Sequence, residues 1–274
     1  MSNEFLYLFI AGVVGGFIAG LVGIGGGVVY IFIIPIALKY LDVPELEIAQ
    51  YTIANSIFAI LFASASANYI LIKLKVFYKK EVIIISLLAI LSSLLTLKFI
   101  VNTPWYSIRA FNIIIVLLLL YMLYTTLWSA NKVSVFPITS LKRWKLSLLG
   151  VASGIIAALS GLGGGIVIIP VLNSFMRIDM RKASSISSGV IMLTAFTMTL
   201  FNLFEKPIHD FKAYSIGYIV FPISLTISLG VVLASPFGVK ISRNLSSSTI
   251  SYIYSAFLII VILKKIIEII KVSL

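Results

Sequence analysis

The chain has 274 residues, of which 61% are hydrophobic and only 11% are charged. Ordinary soluble domains are about half apolar and a quarter charged, so this composition excludes a soluble globular protein. The net charge of +12 does not indicate nucleic-acid binding, because the basic residues lie in short connectors between apolar segments. The absence of cysteine excludes disulfides, thiolate catalysis and cysteine-ligated metals.

The first half of the chain predicts a helical hairpin followed by three long apolar helices. The hairpin bends at the stretch GLVGIGGGVV, residues 20–29. The long segments have the length of about 20 residues that a helix needs to cross a bilayer. In chain order, the predicted helices are 5–22, 28–38, 48–72, 81–101 and 107–129.

The second half repeats this arrangement. Its hairpin bends at ALSGLGGGIV, residues 158–167, and its predicted helices are 146–160, 166–176, 183–204, 213–235 and 248–271. Residues 11–29 and 149–167 align without a gap and are identical at eleven of nineteen positions. An asparagine, Asn68 or Asn202, also follows each glycine stretch at similar spacing. We therefore divide the chain into repeat 1 (1–130), a cytoplasmic linker (131–145) and repeat 2 (146–274).

The orientation of the repeats follows from the hairpins. The second leg has about eleven residues, or about 17 Å of helix, which is too short for a hydrocarbon core of about 30 Å. A re-entrant hairpin returns the chain to the side of the membrane from which it entered. The three further spans then give each repeat an odd number of membrane crossings, so each repeat ends on the side opposite to where it began. The halves then face opposite ways. A glycine bend inside one continuous helix would give parallel halves instead.

Loop charge bears on this choice. In the inverted arrangement, one side holds thirteen of the chain's 21 Lys and Arg, in loops near 73–81, 131–145, 177–182 and 236–247. Cytoplasmic loops collect Lys and Arg, so we place this side in the cytoplasm and both termini outside. The count of Lys and Arg alone is the same in the parallel arrangement. The expected fold is an all-α polytopic membrane protein of two inverted repeats, each a glycine-broken hairpin, re-entrant or spanning, followed by three transmembrane helices.

We call residues 23–27 (GIGGG) and 161–165 (GLGGG) the first and second glycine knot. A nucleotide-binding loop is excluded, because neither knot is followed by Lys-Ser/Thr or by an acid about twenty residues on, and no strands alternate with helices. Close helix packing is the alternative role of small residues in membranes, and we assign Gly12, Gly16 and Gly20 to it.

Three consecutive glycines weaken a helix by about 1 kcal/mol each and permit positive φ. A helix is predicted to begin immediately after each knot, at Val28 and at Ile166. Its first N–H groups have no intrahelical partner and carry the positive end of the helix dipole. Two such ends brought together form a site for a small anion without a charged side chain. The expected binding glycines are Gly25, Gly26, Gly27, Gly163, Gly164 and Gly165.

The two glycine motifs, each opening one half of an apolar chain, resemble those of the sulfite exporter TauE/SafE family of membrane permeases. In the second motif, Pro170 stands five residues after Gly165, as in the family pattern. The first motif departs from it, with Phe32 in that place and Pro35 three residues later. The stretches AQYTIANS (49–56) and ASSISSGV (183–190) are also similar to the family. The resemblance implies transport of small sulfur-containing anions, such as sulfite or organosulfonates, across the cytoplasmic membrane.

Few polar residues lie deep in the predicted helices. Those expected to donate hydrogen bonds to an anion are Thr52, Asn55, Ser56, Ser187 and Ser188. For Asn68, Asn202 and Pro170 we expect gating or interhelical roles. The alternative for Ser and Thr is a hydrogen bond back to their own helix. No acidic residue lies clearly at mid-span, so the sequence does not show whether H⁺ or Na⁺ is coupled to transport.

The expected function is therefore secondary transport of a small anion, with the lipid bilayer as a partner. The sequence leaves open whether further copies of the chain join it in a homo-oligomer. A passive anion channel is the main alternative, and a structural membrane subunit is another. An intramembrane enzyme is disfavoured because the lone His209 lies in a loop and no metal or cofactor site is evident. We also expect Gly26→Ala and Gly164→Ala to abolish transport without impairing folding, and Gly12→Ala to impair folding first.

Overall fold

The computed structural model describes residues 2–103, 105–129, 142–208, 214–246 and, with single-residue gaps, 248–263. Most of the predicted linker 131–145 and the predicted loop residue His209 therefore lie outside the described residues.

Helices make up nearly all of the described structure, and one two-stranded hairpin interrupts them. A 3₁₀ turn, Glu45–Glu47, precedes α3, and π-helical turns continue α4 and α7 at Leu97–Val101 and Val171–Phe175. Described residues between 248 and 263 are also helical. The elements are α1 (Ser2–Val22), α2 (Gly27–Tyr40), α3 (Ile48–Lys73), α4 (Lys79–Thr96), α5 (Ile108–Ser129), α6 (Arg143–Ser160), α7 (Gly165–Pro170), α8 (Met180–Phe204), β1 (Ser215–Ile216), β2 (Ile219–Val220) and α9 (Phe221–Asn244).

Six helices of the described chain are long and apolar enough to cross a membrane, with spans of 18 to 29 residues. Leu87, Leu91 and Leu95 form an exposed stripe along one face of α4. Such stripes would be unstable in water but are the surface that a membrane helix presents to lipid. The prediction of an all-α polytopic membrane protein is confirmed.

The predicted bounds of one helix are wrong. We predicted a span over 213–235, whereas α9 is Phe221–Asn244. Residues 215–220 instead form the antiparallel β-hairpin, in which Gly217 adopts a φ of 56°. At the other end, Pro236 does not terminate the helix. The helix begins later because the β-hairpin occupies residues 215–220, and it continues for more than two turns beyond Pro236.

Glycines set the closest helix contacts. Along α1, Gly12, Gly16 and Gly20 lie directly against the backbone of α9 at successively later positions, from Ile227 to Ser235. The two helices therefore run in the same direction, and the packing role assigned to these glycines agrees with the structure. In the second half, Gly150 and Gly154 lie in the same way against the backbone of α4. Each half thus packs its first helix on the fourth helix of the other.

The same contacts give the relative directions of the helices. Side-chain hydrogen bonds join the early part of α3 to the start of α9, and Ser235 to Ala63 further along, so α3 runs parallel to α9 and α1. The start of α3 lies at the end of α4, where Gln50 Nε2 donates to Val101 O at 3.1 Å. α4 is therefore antiparallel to α3 and parallel to α6. It follows that α6 runs opposite to α1.

Candidate functional site

The two glycine knots have the same backbone conformation. In the first knot φ is 86°, 84° and 73° at Gly23, Gly25 and Gly26. The second knot repeats this with 65°, 84° and 72° at Gly161, Gly163 and Gly164. These values lie in the left-handed region, where a side chain adds strain and glycine does not. The predicted positive φ is confirmed, and the second leg of each hairpin begins immediately after it.

The knots meet at the centre of the protein. A Cβ added at Gly27 would lie 2.9 Å from both Gly161 O and Leu162 Cα of the second knot. Reciprocally, a Cβ at Gly165 would lie 2.9 Å from Ile24 Cα of the first knot. The two backbones are therefore in direct contact, with no side chain between them. The structure brings all six predicted binding glycines into one buried cluster.

Two isoleucines show which positions of the long helices α3 and α8 are equivalent. The Cβ positions of Gly25 and Gly163 both face Ile60 of α3 and Ile191 of α8. Ile60 and Ile191 thus occupy equivalent positions in the two halves. By this register Asn68 corresponds to Thr199 rather than to Asn202. The similar spacing of the two asparagines does not reflect structural equivalence.

Ser56 and Ser187 occupy equivalent positions and tie the halves together. Ser56 Oγ donates to Gly161 O at 2.7 Å, and Ser187 Oγ donates to Gly23 O at 2.9 Å. Each hydroxyl therefore crosses from the long helix of one half to the knot of the other. In this conformation both hydroxyl protons are engaged by the knots. The serines hold the cluster together rather than offer free donors.

The beginnings of α2 and α7 supply the free donors. Their N-cap residues are the glycines Gly26 and Gly164, which form no side-chain cap. Val29 N donates to Gly26 O and Val167 N donates to Gly164 O, each at 3.0 Å. The amides before these have no intrahelical acceptor and carry the positive end of the helix dipole. α7 continues directly into its π-helical turn, so it too begins a helical run of useful length.

A tyrosine that the sequence analysis missed lies beside the first knot. Tyr30 is fully buried, and its hydroxyl lies 2.8 Å from the position that a Cβ would take at Gly26. The hydroxyl has no hydrogen-bond partner within the described chain. No sequence pattern distinguishes Tyr30, because a tyrosine within an apolar helix is usually a packing residue.

The other predicted polar residues are distributed differently. Thr52 is fully buried, and its hydroxyl has no partner among the described residues. Asn68 Nδ2 donates to Ser188 O at 2.9 Å and so links α3 to α8. Asn202 Nδ2 instead donates to Met198 O of its own helix. Pro170 is the last residue of α7 and borders, with the second knot, a cavity of about 20 Å³.

Asn55 holds the β-hairpin rather than lining the knots. Its Nδ2 donates to Tyr218 O at 3.0 Å, and its Oδ1 accepts from Val220 N at 2.8 Å. A buried carboxylate also contacts this segment, because Glu47 Oε1 accepts from Ile208 N and from the Tyr218 hydroxyl. Burial, followed by the charge of Glu47, raises the pKa of Tyr218. These contacts close the end of the molecule at which α3 begins.

Two arginines at the opposite end were also missed. Arg181 and Arg243 line a pocket between α1, α8 and α9 that reaches Gly23 of the first knot. We call it the arginine pocket. The sequence predicts cytoplasmic loops at 177–182 and 236–247, but the structure places Arg181 and Arg243 in the first turn of α8 and the last turn of α9. The expected anion site without a charged side chain therefore applies to the glycine knots only.

The expected effect of Gly26→Ala needs correction. A Cβ at Gly26 would collide with Gly15 O of α1 rather than project into a cavity. At Gly164 it would lie 2.8 Å from Ser153 O. Backbone atoms do not yield cheaply, so both substitutions impair folding as Gly12→Ala does. Gly163→Ala is a more suitable test of the knots, since a Cβ at Gly163 meets only side-chain atoms of Ile60 and Ile191, at 3.2 to 3.4 Å.

Within the described ranges, no group of three His, Asp or Glu residues could hold a metal ion.

Comparison with known proteins agrees with this architecture. The model of the family described as sulfite exporter TauE/SafE matches residues 8–265. A probable membrane transporter protein of Methanocaldococcus jannaschii is 27% identical over 264 residues, which cover 94% of this chain and 95% of that protein. A probable membrane transporter protein of Haemophilus influenzae is 26% identical over 265 residues, covering 95% and 97% respectively. No solved structure matches significantly.

Proposed function

Because the chain belongs to the sulfite exporter TauE/SafE family, and is therefore a multi-pass membrane transporter, we propose that it carries a small sulfur-containing anion across the cytoplasmic membrane. The proposed substrate class is sulfite or an organosulfonate, and the proposed mechanism is secondary transport. The anion would bind at mid-membrane between the beginnings of α2 and α7.

The observation that carries this proposal is the meeting of the two glycine knots. Irregular backbone at membrane depth is tolerated only where it is buried in protein or lines a cavity. Here two such stretches lie in contact, and each begins a helix whose first amides point away from that helix. An anion is favoured at such a position by the helix dipoles and by unpartnered N–H groups. The Tyr30 hydroxyl adds a neutral donor at Gly26.

The directions of the helices support inverted repeats. α6 runs opposite to α1, and each packs on the fourth helix of the other half. If α1 begins outside, the loops at 73–79, 175–180 and 244–246 lie in the cytoplasm. The first loop contains three lysines and the second contains Arg177, and Arg243 directly precedes the third, which agrees with this orientation. In this arrangement a rocking of one half against the other would open the central cluster alternately to the two sides.

The closed centre favours a carrier over a channel. The cavities that border the two knots have volumes of about 10 and about 20 Å³. Room for one water requires roughly 10–15 Å³ by this measure, so neither cavity forms a continuous pore. Among the described residues these cavities leave no room for an anion to pass, which supports a carrier that changes conformation. We propose no enzymatic activity, since the cluster consists of glycine backbone, isoleucines, two serine hydroxyls that are engaged in hydrogen bonds and the hydroxyl of Tyr30.

Flux into proteoliposomes of purified protein tests the proposal. Saturable uptake of labelled sulfite or methanesulfonate, accelerated by the same anion on the opposite side, indicates a carrier. Uptake that never saturates would indicate a channel, and failure of both anions and of a wider panel of organosulfonates would refute the proposed substrate class.

Gly163→Ala tests the location of the site. The substitution places a methyl group at a φ of 84°, with a strain of about 1–2 kcal/mol, and shifts the amides that follow. We expect transport per folded molecule to fall by at least about tenfold, the effect of one lost charge-assisted hydrogen bond. Gly189→Ala is the control for crowding outside the knots, because its Cβ also meets only side chains, at 2.5 to 3.1 Å, and so crowds its neighbours more than the Cβ at Gly163 does. Equal transport by both variants would place the site elsewhere.

A further inference from the structure

We propose that Arg181 and Arg243 form a second binding subsite for an oxyanion, at the end of the protein that carries the basic loops. This inference deepens the proposed function and rests on it, since the subsite would receive the transported anion before or after the knots. No sequence motif marks it.

The subsite is built where several helix ends converge. The arginine pocket is lined by the beginning of α8 and by the ends of α1, α3 and α9, with Ile250 beside them. Ser184 and Ser188 contribute to its wall, and Ser184 lies directly against Gly23 of the first knot. Because Gly23 itself lines the pocket, the pocket borders the first knot directly. An anion leaving the knots toward this end would meet the two guanidinium groups next.

The arginines retain unused donors. Arg181 Nη2 donates to Leu245 O at 3.0 Å, and Arg243 Nη2 donates to Ser185 Oγ at 2.9 Å. A guanidinium has five N–H donors, so these bonds use a small part of each group. The Nε atoms of both residues are buried and have no partner in the described part of the chain. A planar fork with free N–H groups is the geometry that binds oxyanions best.

The nearest carboxylate is already engaged. Asp179 Oδ1 caps α8 by accepting from the amides of Arg181 and Lys182, at 3.0 and 3.3 Å. Two positive side chains share one pocket, where their mutual repulsion is only partly offset. A bound oxyanion would relieve this repulsion and would satisfy the buried Nε groups at the same time.

The other half of the molecule shows that the fold does not require this charge. Because Ile191 corresponds to Ile60, Arg181 corresponds to Gln50. Gln50 Nε2 closes the equivalent helix junction by donating to Val101 O and Tyr106 O, at 3.1 and 3.2 Å. The glycine contacts also align α4 with α9, because Gly150 lies against Ile85 and its counterpart Gly12 lies against Ile227. Val101 and Arg243 each follow these isoleucines at the same distance along the chain, so Val101 is the counterpart of Arg243. At one end of the protein, Gln50 and Val101 thus join α3 to the end of α4 without a charge. At the basic end, two arginines occupy the equivalent positions of α8 and α9.

The pocket is constricted in this conformation. Its volume of about 10 Å³ is close to that of one water site, which is too small for sulfite. Arg243 is only partly buried and lies at the last turn of α9. The subsite would therefore open together with the basic end of the protein, when the ends of α8 and α9 separate. The closed state described here would release or exclude the anion.

The binding test uses full-length protein in a neutral detergent, with sulfite as the probe and melting temperature as the readout. A ligand that binds the folded state raises the melting temperature in a concentration-dependent manner. We expect Arg181→Gln and Arg243→Gln each to weaken the apparent sulfite affinity roughly tenfold or more, the effect of a lost charge-assisted hydrogen bond. Lys182→Gln and Lys240→Gln remove the same charge nearby and should change it less than about twofold. Equal effects of all four substitutions would reduce the subsite to general surface charge and overturn the proposal.

A transport test gives a second, side-specific readout. In proteoliposomes of known orientation, Arg243→Gln should raise the KM for sulfite presented at the basic end roughly tenfold and leave the KM at the opposite end within about twofold. An unchanged KM at the basic end would overturn the subsite while leaving the proposed function intact. If wild-type protein shows no flux, but sulfite raises its melting temperature and Arg243→Gln removes that rise, the subsite stands and the transport proposal fails.

A lipid phosphate presents the same chemistry as a free oxyanion, so a third arm uses mixed micelles containing phosphatidylglycerol. If Arg243→Gln removes stabilisation by this lipid but not by sulfite, the pocket is a headgroup site and our proposal is wrong. Should Arg243→Gln fail to fold, Arg243→Lys keeps the charge but loses the planar fork. It should still weaken sulfite binding several-fold, and wild-type affinity in that variant would also contradict the proposal.

Discussion

Asn55→Leu is expected to release the β-hairpin that closes the end opposite the arginine pocket. Asn55 is fully buried, and its amide serves both Tyr218 O and Val220 N. Leucine has a similar volume but leaves these two backbone groups without partners. Tyr218 and Val220 are themselves 2% and 0% exposed, so water cannot readily replace the amide. At about 1–3 kcal/mol for each unsatisfied buried group, the substitution should destabilise the closed hairpin by about 2–6 kcal/mol.

The assay is the labelling of Ile219→Cys by an impermeant maleimide in this cysteine-free chain. Ile219 is fully buried, so labelling requires the hairpin to open. We expect Asn55→Leu to accelerate labelling at least about thirtyfold, which corresponds to about 2 kcal/mol, the lower limit of the energy range. Asn202→Leu is the matched control, since its side chain serves only its own helix. If Asn55→Leu left both the labelling rate and the melting temperature at the values of the control, the assignment of Asn55 as the hairpin's anchor would be wrong.

Three further predictions concern the central cluster, the helix packing and the orientation. Ser56→Ala leaves Gly161 O unpaired and should cost about 1–3 kcal/mol by thermal unfolding, whereas Ser64→Ala, whose hydroxyl bonds only its own helix, should cost less. Gly12→Ala places a methyl group against the α9 backbone and should lower the yield of monodisperse protein, and a wild-type yield would contradict the packing described. A cysteine at the exposed Trp105 should be labelled from outside intact cells and one at Lys80 should not, and the reverse pattern would invert the topology.

The sequence allowed prediction of the spans and the knots because each depends on local signals. Long apolar runs mark the spans, and the GIGGG and GLGGG stretches mark the positive φ values that the structure shows at Gly25 and Gly163. The sequence places Ser187 in the part of the second half that matches the start of α3, but its exact equivalence to Ser56 depends on how α3 and α8 register against the knots.

Other features depend on contacts between distant segments. The β-hairpin that displaces the start of α9 is held by Asn55, which lies 165 residues earlier in the chain than its partner Val220. Arg181 and Arg243 were read as loop residues because a basic residue near a helix end is usually a topological signal. Their convergence on one pocket follows from the packing of α8 against α9, for which the sequence carries no marker.

The most direct test of the central claim is a structure of the protein with selenite, a heavier analogue of sulfite, located by its anomalous signal. Our account predicts a selenium peak at the glycine knots, within about 4 Å of the first amide nitrogens of α2 and α7, as N–H···O hydrogen bonds to the anion require. A second peak at the arginine pocket would be compatible with this account. Saturating selenite that leaves the knots empty and gives peaks only elsewhere would contradict the claim that they bind the anion.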